Sequence, residues 1–518
     1  MLNRREFLHS TAAAKLAAAA APGTRPNIIM VMTDQQRAGL TRRSGFPLDT
    51  MPAVDRMAER GVAFERAYTT APLCVPARVS LLTGRWPHAH RVRQNSVPKA
   101  AVFEKDIFQV CHELGYRTGL CGKNHSYMTE SSLDFWRNYG HLDGYIPPGA
   151  NAPYREFTTW MQQQNFATGR EPTPFPVETQ FPYRIVSDAI EFITGTNDRP
   201  FALWVSFPEP HNPYQVPKPY FDMFPPDKVP ARAVGPEALP VKGFKWQWLR
   251  KLQETTYPDY DANWRRTRSN YLGLLRLIDD QIDRLLQHLD STGKRDNTIV
   301  VFMSDHGDYF CDYGLERKGA ELPEVLTRIP MVWSGPKIRP SRNPTAFVSM
   351  ADIMPTLCEA VGAPIPSGAQ GRSLWPMLTG NAYPEAEFES VYAEVGFGGM
   401  HYTAGDEINP RWGRTGRPGV TPGYDELNPV TQSGNMKMVR MGDWKLTFDM
   451  MGSGQLYNVV ADPYELKNLY GNPQAAEAQH RLMAALLRWT IRTQDDLPNA
   501  AYASKRPDRN WYESYRSR

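Results

Sequence analysis

No stretch of the 518 residues has the unbroken apolar length that a bilayer span requires, so no stable membrane crossing is expected. Charge of one sign is not in excess either. A net charge of +4 on this length is too small to argue for a nucleic-acid partner. Cysteine is scarce, with five residues at positions 74, 111, 121, 311 and 358. Their number is odd and their spacing is not that of a metal site, so they do not read as a disulfide framework. No internal repeat is visible, which argues against solenoids and propellers. What is present is ordinary globular composition, on a chain long enough for a large core and more than one folding unit.

The first 24 residues read as an address. Asn3-Arg4-Arg5-Glu6-Phe7-Leu8 looks like a twin-arginine export signal, and a weakly apolar stretch from Thr11 to Ala21 follows. Cleavage is expected among residues 17–20, because Pro22 disfavours cutting immediately before it. The alternative is a disordered Ala-rich tail. The export reading implies the twin-arginine translocase as a partner and a periplasmic or secreted mature protein.

From residue 27 onward, apolar strand-like runs alternate with helical patterns, which implies an α/β fold with a mostly parallel sheet. Asn27 to Met32, Tyr116 to Cys121, Phe201 to Phe207 and Thr298 to Met303 read as buried strands. Each is followed by polar groups, and ligand sites in open α/β sheets lie at the carboxyl ends of strands. Asp34 and Gln35 supply hard oxygens suited to a divalent cation, although an aspartate there can also simply cap the next element. Lys123 and His125 are cationic groups after the second strand, or residues of a surface loop. His211 is held stiffly between prolines, as a site residue or a structural histidine. Asp305 and His306 form an oxygen and nitrogen pair after the last. Residues 130–185 show no clean period and read as insertions around a site mouth. Trp86 to His90 and Asn95 read as a pocket wall or a solvated loop.

The stretch from Pro72 to Arg85 organises the rest. Prolines 72 and 76 fix the backbone around Cys74, and a helix starting near Pro76 points its free N–H groups back toward it. Arg78 lies on the first turn. Read bare, this is a loop cysteine, equally a buried thiol beside a surface arginine.

Cys74-Val75-Pro76-Ala77-Arg78 followed by Leu82-Thr83-Gly84-Arg85 resembles the signature of type I sulfatases, in which the cysteine is oxidised after translation to formylglycine. Asn27 to Gln36, Gly122-Lys123-Asn124-His125, Pro210-His211-Asn212-Pro213, Ser304-Asp305-His306-Gly307 and Gly314 to Gly319 resemble further segments of that family. The likeness covers nearly the whole chain, tight at these motifs and loose between them. Two positions depart from the commonest pattern. Gln35 stands where many members have a second aspartate, and His306 where many have asparagine. Both variants occur in a subset of sulfatases and in the related phosphonate monoester hydrolases.

The resemblance implies the alkaline-phosphatase-like fold, with a catalytic domain over 25–385 and a smaller C-terminal subdomain, antiparallel sheet plus helix, over 386–518. It implies one divalent metal, calcium foremost with manganese or zinc as alternatives, held by Asp34, Gln35, modified Cys74, Asp305 and His306. Arg78 would orient the aldehyde hydrate. Lys123 and Lys318 would grip sulfate oxygens, His125 would handle the hydrate proton, and His211 would protonate the leaving alcohol. The implied activity is hydrolysis of a sulfate ester on a carbohydrate or an aryl or alkyl alcohol, after a formylglycine-generating enzyme has acted. The alternatives are a phosphonate monoester or phosphodiester hydrolase and an inactive sulfated-glycan-binding protein.

Overall fold

The computed structural model describes residues 25–149, 152–164, 166–196, 199–399, 401–408 and 426–494. The export segment and part of the loop-rich region expected over 396–435 lie outside the described residues.

An eight-stranded sheet carries the larger part, in the order β4-β3-β5-β1-β6-β7-β2-β8. Its strands are β1 (Asn27–Asp34), β2 (Val62–Tyr68), β3 (Arg117–Gly122), β4 (Phe135–Asn138), β5 (Phe201–Pro210), β6 (Thr298–Ser304), β7 (Met331–Ser334) and β8 (Ser341–Ser349). All neighbours run parallel except β7, which is antiparallel to both β6 and β2. Strand β1 is buried along its whole length, as its apolar run dictates. Alternate residues serve opposite faces. Ile28, Met30 and Met32 join one core with Trp204 and Met303. Ile29 and Val31 join the other with Leu203, Val205 and Phe302.

Helices close both faces. The first face is covered by α2 (Cys74–Thr83), α3 (Ile107–Glu113) and α7 (Ile353–Ala360), and the second by α1 (Pro52–Glu59), α4 (Ala152–Gln163), α5 (Phe181–Thr194) and α6 (Tyr260–Ser291). A second sheet, ordered β12-β11-β10-β9, is antiparallel. It comprises β9 (Ser390–Gly398), β10 (Gly434–Met441), β11 (Trp444–Asp449) and β12 (Gly454–Asn458), and α8 (Ala476–Thr493) packs its leucines and Trp489 against it.

Residues 130–185 are not irregular as expected. They hold edge strand β4, helix α4 and the start of α5. The four residues of β4 are too few to show a period, and pairing with β3 stabilises them instead.

Candidate active site

Parallel register converges the strand ends. Asp34 pairs with Pro210, Thr33 with Ser304, and Gly122 with Ser206. Lys123, His211 and Asp305 each follow one of these positions, so four sheet strands deliver side chains to one edge. Gly122 makes the approach possible. Its φ is +119°, and a Cβ there would lie 1.9 Å from the Ser206 carbonyl oxygen.

Cys74 is the first residue of α2 and is buried, so it is a helix-start thiol and not the loop cysteine expected. The helix begins two residues before Pro76, and Asn95 Oδ1 accepts the Val75 N–H at 3.1 Å. Asn95 thus caps a backbone donor, while Trp86 turns away into the C-terminal core.

Arg78 lies fully buried between the two aspartates. Its Nε donates to Asp305 Oδ2 at 3.0 Å and its Nη2 to Asp34 Oδ2 at 2.9 Å. Nη1 donates to the Lys123 carbonyl and Ser206 Oγ, each at 2.8 Å. Two of these four bonds fix the carboxylates, and two tie the guanidinium to the end of β3 and to β5. Lys123 Nζ also donates to Asp34 Oδ2. Burial alone would raise the Asp34 carboxyl, but Lys123 and Arg78 outweigh it and hold it well below the usual range.

Asp34, Cys74, Asp305 and His306 bring ligand atoms within 4.8 Å of one another. The set fits a divalent cation. Asp34 Oδ2 is taken by Arg78 and Lys123, which leaves Oδ1 facing Cys74 Sγ at 3.7 Å. His306 Nδ1 donates to the Gly307 carbonyl at 2.8 Å, so its Nε2 lone pair faces the cluster, 3.3 Å from Cys74 Sγ. Burial opposes charge on His306, yet Asp305 and Cys74 raise it above its ordinary value. Negative charge is thus in surplus at that nitrogen.

Gln35 sits in the left-handed region at φ 66°, with its N–H on Asp305 Oδ1 at 2.9 Å. Its Nε2 donates to Asp308 at 2.7 Å, and its Oε1 accepts from Lys318 Nζ at 2.7 Å. Lys318 also lies 3.3 Å from His211 Nε2 and 3.6 Å from Glu426. Burial would lower the lysine, but Cys74, Glu426, Asp34 and Asp305 raise it, so it stays charged.

His211 Nδ1 bonds the Asn212 carbonyl at 2.7 Å, which requires the proton on Nδ1 and leaves Nε2 toward Lys318. Burial, then Lys318, holds His211 well below its ordinary value. Burial and Lys123 do the same to His125, whose Nδ1 is covered without a partner.

Two residues at the site went unread in the sequence. His141 accepts from Lys123 Nζ at 2.7 Å and stacks on His211 at 3.8 Å. It follows the four-residue β4 in a stretch without period, so no local signal marked it. Glu209, at the end of β5, is pushed up to about 8 by burial, with Asp34 adding to the rise.

Comparison with known proteins identifies the family. The sulfatase family model matches residues 26–363. The chain is 26% identical to a choline-sulfatase of Rhizobium meliloti, covering 89% of this chain and 85% of that one. It is 25% identical to a Delta 4,5-hexuronate-2-O-sulfatase of Bacteroides thetaiotaomicron, covering 92% of each. The crystal structure of a phosphonate monoester hydrolase of Agrobacterium radiobacter superposes with a TM-score of 0.72 at 22% identity, over 93% of this chain and 99% of that one, which shows the shared alkaline-phosphatase-like fold. Fold, strand-end site and family match together make this chain a member of the sulfatase family and a sulfuric ester hydrolase.

Proposed function

We propose that the enzyme hydrolyses a sulfate monoester through a formylglycine made from Cys74, beside one divalent metal. The observation that carries this is the meeting of Cys74 with two aspartates, one histidine and two lysines at one sheet edge. The hydrated aldehyde would supply an oxygen nucleophile and, through its second hydroxyl, release of sulfate without water attacking sulfur. Asp34, Gln35, Asp305, His306 and modified Cys74 would hold the metal, whose chemistry is Lewis-acid activation of that nucleophile. Oxygen donors suit calcium, and the His306 nitrogen also admits manganese or zinc.

The chain's other groups divide the remaining work. Arg78 holds Asp34 and Asp305 apart at fixed distance and, through them, orients the nucleophile. Lys123 and Lys318 offer N–H donors to sulfate oxygens as charge builds on them. His125, with a covered nitrogen and no partner, takes the hydrate proton. His211 passes a proton to the leaving oxygen from Nε2, which lies 3.3 Å from Lys318 and takes up that proton when the anionic substrate enters; Lys318 keeps its own charge for the sulfate oxygens. The twin-arginine signal carries the folded enzyme out of the cytosol, after a formylglycine-generating enzyme has acted.

The substrate alcohol belongs to a carbohydrate or another exported ester. One relative is named for a hexuronate 2-O-sulfate and another for choline sulfate, so the family's site accepts alcohols of very different size. Gln35 and His306 favour a second reading, a phosphonate monoester or phosphodiester hydrolase. Parallel kcat/KM measurements on a sulfate monoester and a phosphodiester with the same nitrophenol leaving group decide between them. The proposal expects the sulfate to be the better substrate. A faster phosphodiester reverses the assignment.

A further inference from the structure

We infer that His141 is a positioning residue that serves two groups of the site at once, anchoring the Lys123 ammonium and fixing the ring plane of His211. This rests on the sulfatase reading above and adds to it a residue outside the recognised motifs.

The geometry is direct. Lys123 Nζ carries only donors, so the 2.7 Å contact fixes His141 Nε2 as an acceptor and places the ring proton on Nδ1. The ammonium is then held between two fixed acceptors, Asp34 Oδ2 and His141 Nε2. Two anchors set the direction of its third N–H. With Asp34 alone, the ammonium would swivel about one bond. The same ring lies over His211, with centroids 3.8 Å apart and planes 25° from parallel. In its plane His211 is held by the Nδ1 bond to Asn212 and the 3.3 Å approach of Lys318 to Nε2, and the stack restrains the ring out of that plane. Phe166 meets the edge of His141 at 6.5 Å.

The loop that carries His141 is itself built to hold it. Tyr139 N–H donates to the Gly122 carbonyl at 3.0 Å, and Tyr139 OH donates to Asp188 at 2.7 Å. Gly140 N–H closes onto the Asp143 carbonyl at 2.8 Å, and a Cβ on Gly140 would meet Asp143 Oδ1 at 2.1 Å. The loop is thus pinned to the end of β3, one residue from Lys123. Burial, followed by the neighbouring His211 and Lys123, keeps His141 uncharged, as an acceptor for an ammonium must be.

The two roles separate by substitution. His141→Phe keeps a flat ring for the stack but has no acceptor. His141→Gln keeps an acceptor near Nε2 but has no ring. His141→Ala loses both. The readouts are binding of inorganic sulfate to the metal-loaded, matured enzyme by calorimetry, and kcat/KM across aryl and alkyl sulfates of graded leaving-group pKa. His141→Phe and His141→Ala should bind sulfate about tenfold more weakly, as one lost charge-assisted hydrogen bond predicts, and His141→Gln should bind as the parent does. His141→Gln and His141→Ala should lose about 10- to 100-fold on poor leaving groups and little on nitrophenyl sulfate. His141→Phe should keep the parent's leaving-group dependence.

Equal losses for all three variants on every substrate, with sulfate affinity unchanged, would make His141 a structural residue and overturn the inference. Parent-like behaviour of all three would overturn it too. If the parent turns over no sulfate ester, the functional reading falls. The sulfate affinities of the three variants then still decide whether His141 anchors Lys123.

Discussion

In the proposed mechanism His211 would donate through Nε2, the nitrogen beside Lys318, while Nδ1 faces the Asn212 carbonyl. A proton matters most when the departing alcohol is a poor leaving group. His211→Ala is therefore expected to lose about 10²–10⁴-fold on alkyl or sugar sulfates and much less on nitrophenyl sulfate. His125→Ala should slow both evenly, since every substrate needs the hydrate to turn over. A flat loss for His211→Ala across leaving groups of graded pKa would show that the acid lies elsewhere. At this scale, the sequence revealed those groups that follow a buried strand directly. Lys123, Asp305 and His211 each stand one residue beyond a strand pairing that apolar runs made visible. His141 was hidden because its contact with Lys123 exists only once β4 has paired with β3. The full role of Arg78 was hidden too. Its helix position was readable, but its grip on both carboxylates depends on how β1 and β6 close together.

Helix α1 starts without a side-chain cap of its own, and Asp279 on α6 supplies one across the core. Asp279 Oδ2 accepts the Ala53 N–H at 2.8 Å, and Oδ1 accepts the Val54 N–H at 3.0 Å. Burial nevertheless pushes this carboxyl up to about 7, because the two N–H bonds offset only part of its desolvation. The folded state then binds more protons than the unfolded state between the ordinary carboxylate range and about pH 7. Stability from this group is fully present at low pH and falls as pH rises through that window. Asp279→Asn has no such titration, so its unfolding free energy should decline less from pH 4 to pH 7 than the parent's. Denaturant unfolding at both pH values reads this, and identical pH slopes would contradict it. The same cross-chain logic explains which elements were legible. The apolar run of β1 and the helical period of α6 are each long enough to read. β7, reversed within a parallel sheet, and β4 at its edge owe their placement to neighbours far along the chain.

The C-terminal sheet is locked to the catalytic part around Trp86. Its indole is buried against Tyr392 and Trp489, and its Nε1 donates to the Tyr392 carbonyl at 3.2 Å. Beside it, His88 bonds Glu394 on β9 at 2.9 Å and the Thr493 carbonyl of α8 at 2.8 Å. Glu426 reaches from the C-terminal part to Lys318 in the site itself. Trp86→Ala should cost about 3–5 kcal/mol, measured by denaturant unfolding, since it empties the joint between the two sheets. A loss below about 1 kcal/mol would show that the joint is held elsewhere. The proposed chemistry depends on one conversion, that of Cys74 to an aldehyde. Mass spectrometry of the Cys74 peptide, on enzyme co-expressed with a formylglycine-generating partner and assayed on a sulfate ester, tests it most directly. The expected result is the mass of the aldehyde or its hydrate, in a fraction that tracks turnover from one preparation to the next. Full turnover by a preparation in which Cys74 is entirely thiol would contradict it.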